Sequence, residues 1–185
     1  MAANCISGYM TTRHVEYLIN PQRGRTIIVA SDLCAPGYWE DPEYDNHIQY
    51  CVERFIAYAE TQPAIVLTLQ QNPLQYATGI YTAPLHPQLA EWCASRNIDV
   101  VDVQNDYGFK PYLPMRHALV FGIHRELCVV AHLHALANLS PMVRPVCLVD
   151  CTVQLDANEA NIPLYIARHH PTIDMVHSQN TSFVD

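Results

Sequence analysis

Short β-branched runs alternate with segments of helical periodicity along most of this chain, and that alternation restricts its fold more than any other feature. Thr26–Ala30, Ala64–Thr68, Ile98–Val103, Ala118–Phe121, Pro145–Val149 and Thr172–Val176 read as six strands. Between the first two, Ile48, Cys51, Val52, Phe55, Ile56 and Ala59 recur at helical spacing, with Asp45 as the expected cap. Pro87 opens a second predicted helix carrying Leu89, Trp92 and Cys93. Leu127, Val130, Ala131, His134 and Ala135 outline a third, and Pro163 to His169 a short last one ended by Pro171. Strands that alternate with helices pair in parallel, because each crossover must return over a sheet face. The expected architecture is α/β: a three-layer, doubly wound, six-stranded parallel sheet flanked by helices.

With 185 residues, half of them apolar, the chain can bury one sizeable core but not two large ones. Residues 1–24 mix turn formers with one apolar patch and read as an N-terminal arm; residues 25–185 read as the folded domain. Ten Lys and Arg against 18 Asp and Glu give −8, with no basic run, so nucleic acid and anionic membranes are poor partners. No apolar run approaches the ~20 residues of a membrane span. Seven cysteines cannot all pair, and the first residues lack the apolar core of a secretory signal, so reduced thiols in a cytoplasm are expected.

In parallel open sheets, ligands bind at the carboxyl ends of the strands near the point where the winding reverses. At or just past the predicted strand ends stand Asp32, then Thr68 and Gln70, then Asp102 through Lys110, then Cys128, then Asp150. A carboxylate and a thiol thus share one rim. Cys128 falls in the first turn of a predicted helix, where the helix dipole favours thiolate and open backbone N–H groups can hold an oxyanion. A buried structural cysteine is the plainer reading of the same position. Cys147 and Cys151, four apart on a strand, share one side in that reading, yet no second pair with finger spacing supports zinc. Tyr38, Trp39, Asp41, Glu43 and Asp45 read as an acidic, aromatic flap over the site mouth.

The stretch from Ala118 to Val130, with Gly122 six residues before Cys128, resembles the isochorismatase-like cysteine hydrolases, a superfamily that includes nicotinamidases and isochorismatases. Ile27-Ile28-Val29-Ala30-Ser31-Asp32-Leu33 is similar to that family's first strand and catalytic Asp, and Val149-Asp150-Cys151-Thr152 to its Asp-Ala after the fifth strand. The resemblance implies a six-stranded parallel sheet, a homo-oligomer, and a Cys, Asp, Lys triad with Cys128 and Asp32 as its first two members. It also implies a cis peptide at Ile123–His124 that aims the His124 N–H into the oxyanion site.

Two departures stand out. Arg125-Glu126 occupies the place of the usual Thr-Asp, and the family lysine is missing from its usual stretch, leaving Lys110, the only lysine in the chain, as the candidate. Nicotinamidases carry an Asp-x-His metal pair after the second strand. Here Thr68-Leu69-Gln70-Gln71-Asn72-Pro73 offers only amides, poor transition-metal ligands. No metal or other cofactor is therefore expected, and Gln70 becomes a candidate substrate contact. The leading expectation is a metal-independent cysteine hydrolase of a small metabolite, acting on an amide or related C–N bond. Its alternatives are a non-catalytic relative serving binding or assembly, and vinyl-ether hydrolysis with Asp32 as the acid.

Overall fold

The computed structural model describes residues 17–19, 25–61, 67–72, 84–102, 115–139, 141–154 and 169–183. Strand β1 (Tyr17–Ile19) pairs in parallel with β8 (Thr181–Phe183) as a separate two-stranded sheet, so part of the expected arm is built into the fold. The main sheet comprises β2 (Arg25–Ser31), β3 (Leu67–Asn72), β4 (Asp99–Asp102), β5 (Met115–Gly122), β6 (Arg144–Thr152) and β7 (Asp174–Val176). All its pairings are parallel, in the order β4-β3-β2-β5-β6-β7. From β2 the chain winds to one side and from β5 to the other. The winding reverses between these two central strands.

The two faces of the sheet are covered by different helices. Helix α1 (Pro42–Glu60) buries Ile48, Cys51, Val52, Phe55 and Ala59 against Ile28, Leu119 and Leu148, and α2 (Pro87–Ser95) adds Leu89, Trp92 and Cys93 to the same core. Phe55 stacks on Phe121 at a centroid distance of 4.0 Å. On the opposite face α3 (Val130–Leu139) packs Val130, Leu133, Leu136 and Ala137 over Val29, Val120 and Cys147. Burying a side chain of this size stabilises by about 1.5–3 kcal/mol, so the two cores together hold the central strands in place.

Three local expectations are corrected. The cap of α1 is Asp41, whose Oδ1 accepts from the Glu43 N–H at 2.9 Å, because Pro42 starts the helix a turn earlier than the apolar stripe suggests. Asp45 instead accepts from the Gly37 N–H at 3.0 and 2.9 Å and closes the preceding turn. Residues Arg125–Val129 form one π-helical turn ahead of α3, which widens the helix and rotates its phase. The buried stripe is therefore Val129, Val130, Leu133, Leu136 and Ala137, while Leu127 is 47% exposed. Finally, Cys147 and Cys151 lie in opposite cores, because the β5–β6 register shifts between them and breaks the two-residue alternation. The predicted helix over 163–169 lies outside the described residues, His169 excepted.

Candidate active site

The central strands β2 and β5 meet at a backbone splice. Ser31 and Gly122 are register partners, and the Ser31 carbonyl accepts from the Ile123 N–H at 3.2 Å. Gly122 has φ +134, and a Cβ at this position would lie 2.1 Å from the Ser31 carbonyl oxygen. Only glycine fits there. On either side of the splice the chain takes a left-handed step at a non-glycine residue, Asp32 with φ 57 and His124 with φ 54. Such steps cost on the order of 1–3 kcal/mol each and persist where surrounding structure enforces them.

These two steps turn Asp32 and His124 toward Cys128. The thiol, one carboxylate oxygen and one imidazole nitrogen all lie within 4.8 Å of one another. Asp32 is fully buried and Cys128 is 3% exposed. Asp32 Oδ2 is 3.9 Å from His124 Nδ1 and 3.4 Å from the Ser31 hydroxyl, which donates to it. His124 Nε2 hydrogen-bonds the Tyr44 hydroxyl at 3.2 Å, and the ring sits edge-on to Trp39 and Tyr44. Two buried atoms of the group, Asp32 Oδ1 and His124 Nδ1, have no hydrogen-bond partner among the described residues. Buried polar atoms are seldom left so, and here both belong to groups that surround one sulfur.

Burial pushes the Cys128 thiol well above its ordinary range, and the charge of Asp32, its hydrogen bond with Asp32 and the charge of Glu126 push it further. Burial and the Asp32 charge likewise raise the Cys34 thiol to about 12. The Cys93 and Cys147 thiols rise to about 12 by burial. The expected row of open N–H groups is largely occupied. The Leu127, Cys128 and Val129 N–H groups converge on the His124 carbonyl at 3.0, 2.9 and 3.2 Å, and that of Arg125 donates to the Val153 carbonyl at 3.0 Å. Among the described residues the His124 N–H has no backbone partner.

Of the other sequence candidates, Gln70 lies within β3, as register partner of Val29 and Val101, because the ladder continues through the amide run as far as Asn72. It precedes the carboxyl end of the strand instead of lying beyond it. Lys110 lies outside the described residues. Asp150, at the end of β6, has a structural position: it accepts from Arg54 at 2.8 Å and from the Ser178 N–H and hydroxyl at 2.7 and 2.5 Å. Asp32, His124 and Cys128 are also a donor set of the kind zinc accepts, and no other trio of His, Cys or acidic residues is as close among the described residues. What sequence reasoning missed is the side chain of His124, valued only for its N–H, and the approach of Tyr44 from α1.

No family model and no curated protein matches the sequence. Solved structures do. An isochorismatase-like hydrolase from Alkaliphilus metalliredigens superposes with a TM-score of 0.58 at 13% identity, over 84% of this chain and 95% of that one. The chain has the isochorismatase-like fold. Two further solved structures that match differ in the activity they are named for. The pyrazinamidase/nicotinamidase of Streptococcus mutans matches at TM-score 0.57 and 9% identity, covering 82% of this chain and all of that one. The MAR1 ribonuclease of Caenorhabditis elegans matches at 0.51 and 14%, covering 87% and 80%. Among the described residues no helix is long and apolar enough to cross a membrane.

Proposed function

We propose that the chain is a metal-independent cysteine hydrolase of a small metabolite, cleaving an amide or related C–N bond. The observation that carries this reading is the buried Asp32 carboxylate within 4.8 Å of the Cys128 thiol at the point where the sheet winding reverses. Asp32 takes the thiol proton on its unpartnered oxygen, the sulfur attacks the carbonyl carbon, and the carbonyl electrons move to oxygen, toward the His124 N–H. Asp32 returns the proton to the departing nitrogen as the C–N bond breaks. Gln70 is the proposed substrate contact near the end of β3. Lys110 is the cation the family resemblance implies. The Trp39 and Tyr44 rings pack on each other and on the His124 ring, and such an aromatic surround suits a compact, partly apolar substrate. A net charge of −8 with no basic run argues against a nucleic-acid substrate. A cytoplasmic setting belongs to the same reading, supported by six described cysteines that are all unpaired, and a homo-oligomer is what the family resemblance implies.

The test is ammonia release from a panel of small primary amides, nicotinamide included, by wild type, Cys128→Ala and Asp32→Asn. Turnover abolished in both variants supports the reading. Activity on a vinyl ether that survives Cys128→Ala and fails in Asp32→Asn transfers the assignment to acid catalysis. Binding without turnover in wild type moves it to a non-catalytic relative.

A further inference from the structure

A carboxylate, an imidazole and a thiol converge where the sheet winding reverses, with one donor atom of each of Asp32, His124 and Cys128 within 4.8 Å of the others. Two atoms of this trio, Asp32 Oδ1 and His124 Nδ1, are buried with no hydrogen-bond partner among the described residues. A buried polar atom left so calls for an explanation, and a bound ion supplies one. We infer that Asp32, His124 and Cys128 form a zinc site, and that Zn²⁺ held there takes the nucleophile out of use, so that metal and amide substrate exclude one another. The site stands apart from the hydrolase reading; its effect on turnover rests on that reading.

Donor chemistry and distance select the ion. Thiolate and imidazole favour zinc over magnesium or calcium, which call for a shell of oxygens. Zinc holds sulfur at about 2.3 Å and nitrogen or oxygen at about 2.0–2.2 Å, so tetrahedral neighbours lie about 3.4–3.6 Å apart. Asp32 Oδ2 and His124 Nδ1 are 3.9 Å apart, about half an ångström more than such a pair needs. An imidazole that binds metal through one nitrogen holds the other in a hydrogen bond that fixes the ring. His124 has that arrangement: Nε2–H donates to the Tyr44 hydroxyl at 3.2 Å, and Nδ1 is left on the side of Asp32. Charge agrees. The carboxyl groups of Asp32 and Glu126 are both buried near the sulfur, and no arginine or lysine among the described residues pairs with Asp32. Two anionic donors and a neutral ring balance the double charge of zinc, so the filled site is neutral, which suits a buried place. On binding, the S–H bond breaks, its electron pair forms the Zn–S bond, and the proton leaves to solvent. With sulfur and carboxylate both on the metal, neither is free for an amide carbon. The amides of β3 leave one metal position without good donors; this trio supplies donors at another, at the ends of β2 and β5.

The experiment strips the full chain with a chelator, adds zinc near neutral pH, and measures bound metal by elemental analysis and affinity by competition with a chromogenic chelator. The proteins are wild type, Cys128→Ser, His124→Asn and His134→Gln. Asparagine tolerates the left-handed backbone at residue 124. His134→Gln tests a second close histidine pair, His134 and His170, whose ring centroids lie 5.6 Å apart. The expected result is stoichiometric zinc in wild type and His134→Gln, with affinity at least about a hundredfold lower in Cys128→Ser and His124→Asn, since even a partner outside the ligands is worth about 10–100-fold. No stoichiometric zinc in wild type, an unchanged affinity in either site variant, or zinc lost in His134→Gln overturns the inference. If the site variants do not fold, cobalt in wild type decides. A thiolate-to-cobalt charge-transfer band that alkylation of Cys128 abolishes supports the site, and cobalt bound without that band overturns it. Amide turnover in wild type then tests the exclusion. Turnover that falls as zinc binds and returns with chelator supports it, whereas turnover that requires zinc overturns it together with the metal-independent reading. Zinc bound with no turnover in either state overturns the hydrolase reading, and the exclusion with it, while the binding data support the site.

Discussion

Replacing Gly122 with alanine tests the claim that the site is assembled by main chain. Two costs add at this position. The first is φ +134, a conformation close to glycine-only, for which strain of about 1–3 kcal/mol is expected. The second is the new methyl, 2.1 Å from the Ser31 carbonyl oxygen and 2.9 Å from both Ser31 N and C, all backbone atoms that no rotamer change can move aside. Forcing a methyl into such a contact typically costs about 1–3 kcal/mol more, so the total is about 2–6 kcal/mol. With a urea m-value of about 2 kcal/mol/M for a chain of this size, the midpoint falls by about 1–3 M. Gly37→Ala is the matched control: its φ is +80, but nothing lies within 4 Å of the added Cβ, so only the conformational cost of about 1–2 kcal/mol applies. Urea unfolding monitored by tryptophan fluorescence reads both, and alkylation of the folded fraction reads whether Cys128 has moved away from Asp32. Equal losses in Gly122→Ala and Gly37→Ala would refute the splice.

Asp150→Ala is expected to destabilise by about 3–5 kcal/mol, because it strands the Ser178 N–H and hydroxyl with Arg54, whereas Arg54→Ala, on a side chain 42% exposed, costs about 1 kcal/mol or less; chemical denaturation of the two variants checks the order. His86 is buried at the N-terminus of α2 and burial holds its pKa below the ordinary value, as burial and His170 do for His134. The unfolded chain then binds more protons than the folded one in mild acid, so stability present at pH 8 declines as pH falls through about 6.5, and His86→Gln flattens that decline in urea midpoints measured from pH 8 to 5.5. Tyr44→Phe removes one hydrogen bond to His124 Nε2 and is expected to slow Cys128 alkylation severalfold with little loss of stability; an unchanged rate would mean the ring is positioned by packing alone.

The alternation of strands and helices was legible because the two periods differ and the flanking prolines mark helix starts. Asp32 and Cys128 were legible for a topological reason: they come after β2 and β5, and any doubly wound sheet brings those two ends together. What escaped the sequence was phase. One π-helical turn moved the buried face of α3 off Leu127, and one register shift sent Cys147 and Cys151 to opposite cores, and neither event leaves a compositional trace. The Asp41 cap was readable from Asp41-Pro42 and lost to a pattern centred on Asp45. His124 was hidden differently, since its role depends on a positive φ and on Tyr44, a residue 80 positions away.

The ribbon of β1 and β8 carries a consequence for folding order. It joins Tyr17 to Thr181 and Ile19 to Phe183 through three rungs, across nearly the whole length of the chain. Closing so long a loop is entropically expensive, and an isolated two-stranded sheet recovers little of that expense by itself. The ribbon therefore zips only after the central strands have condensed and drawn its two ends close. It is also the first part to unzip, so native-state hydrogen exchange should find residues 17–19 and 181–183 opening far more often than Val29 or Val120.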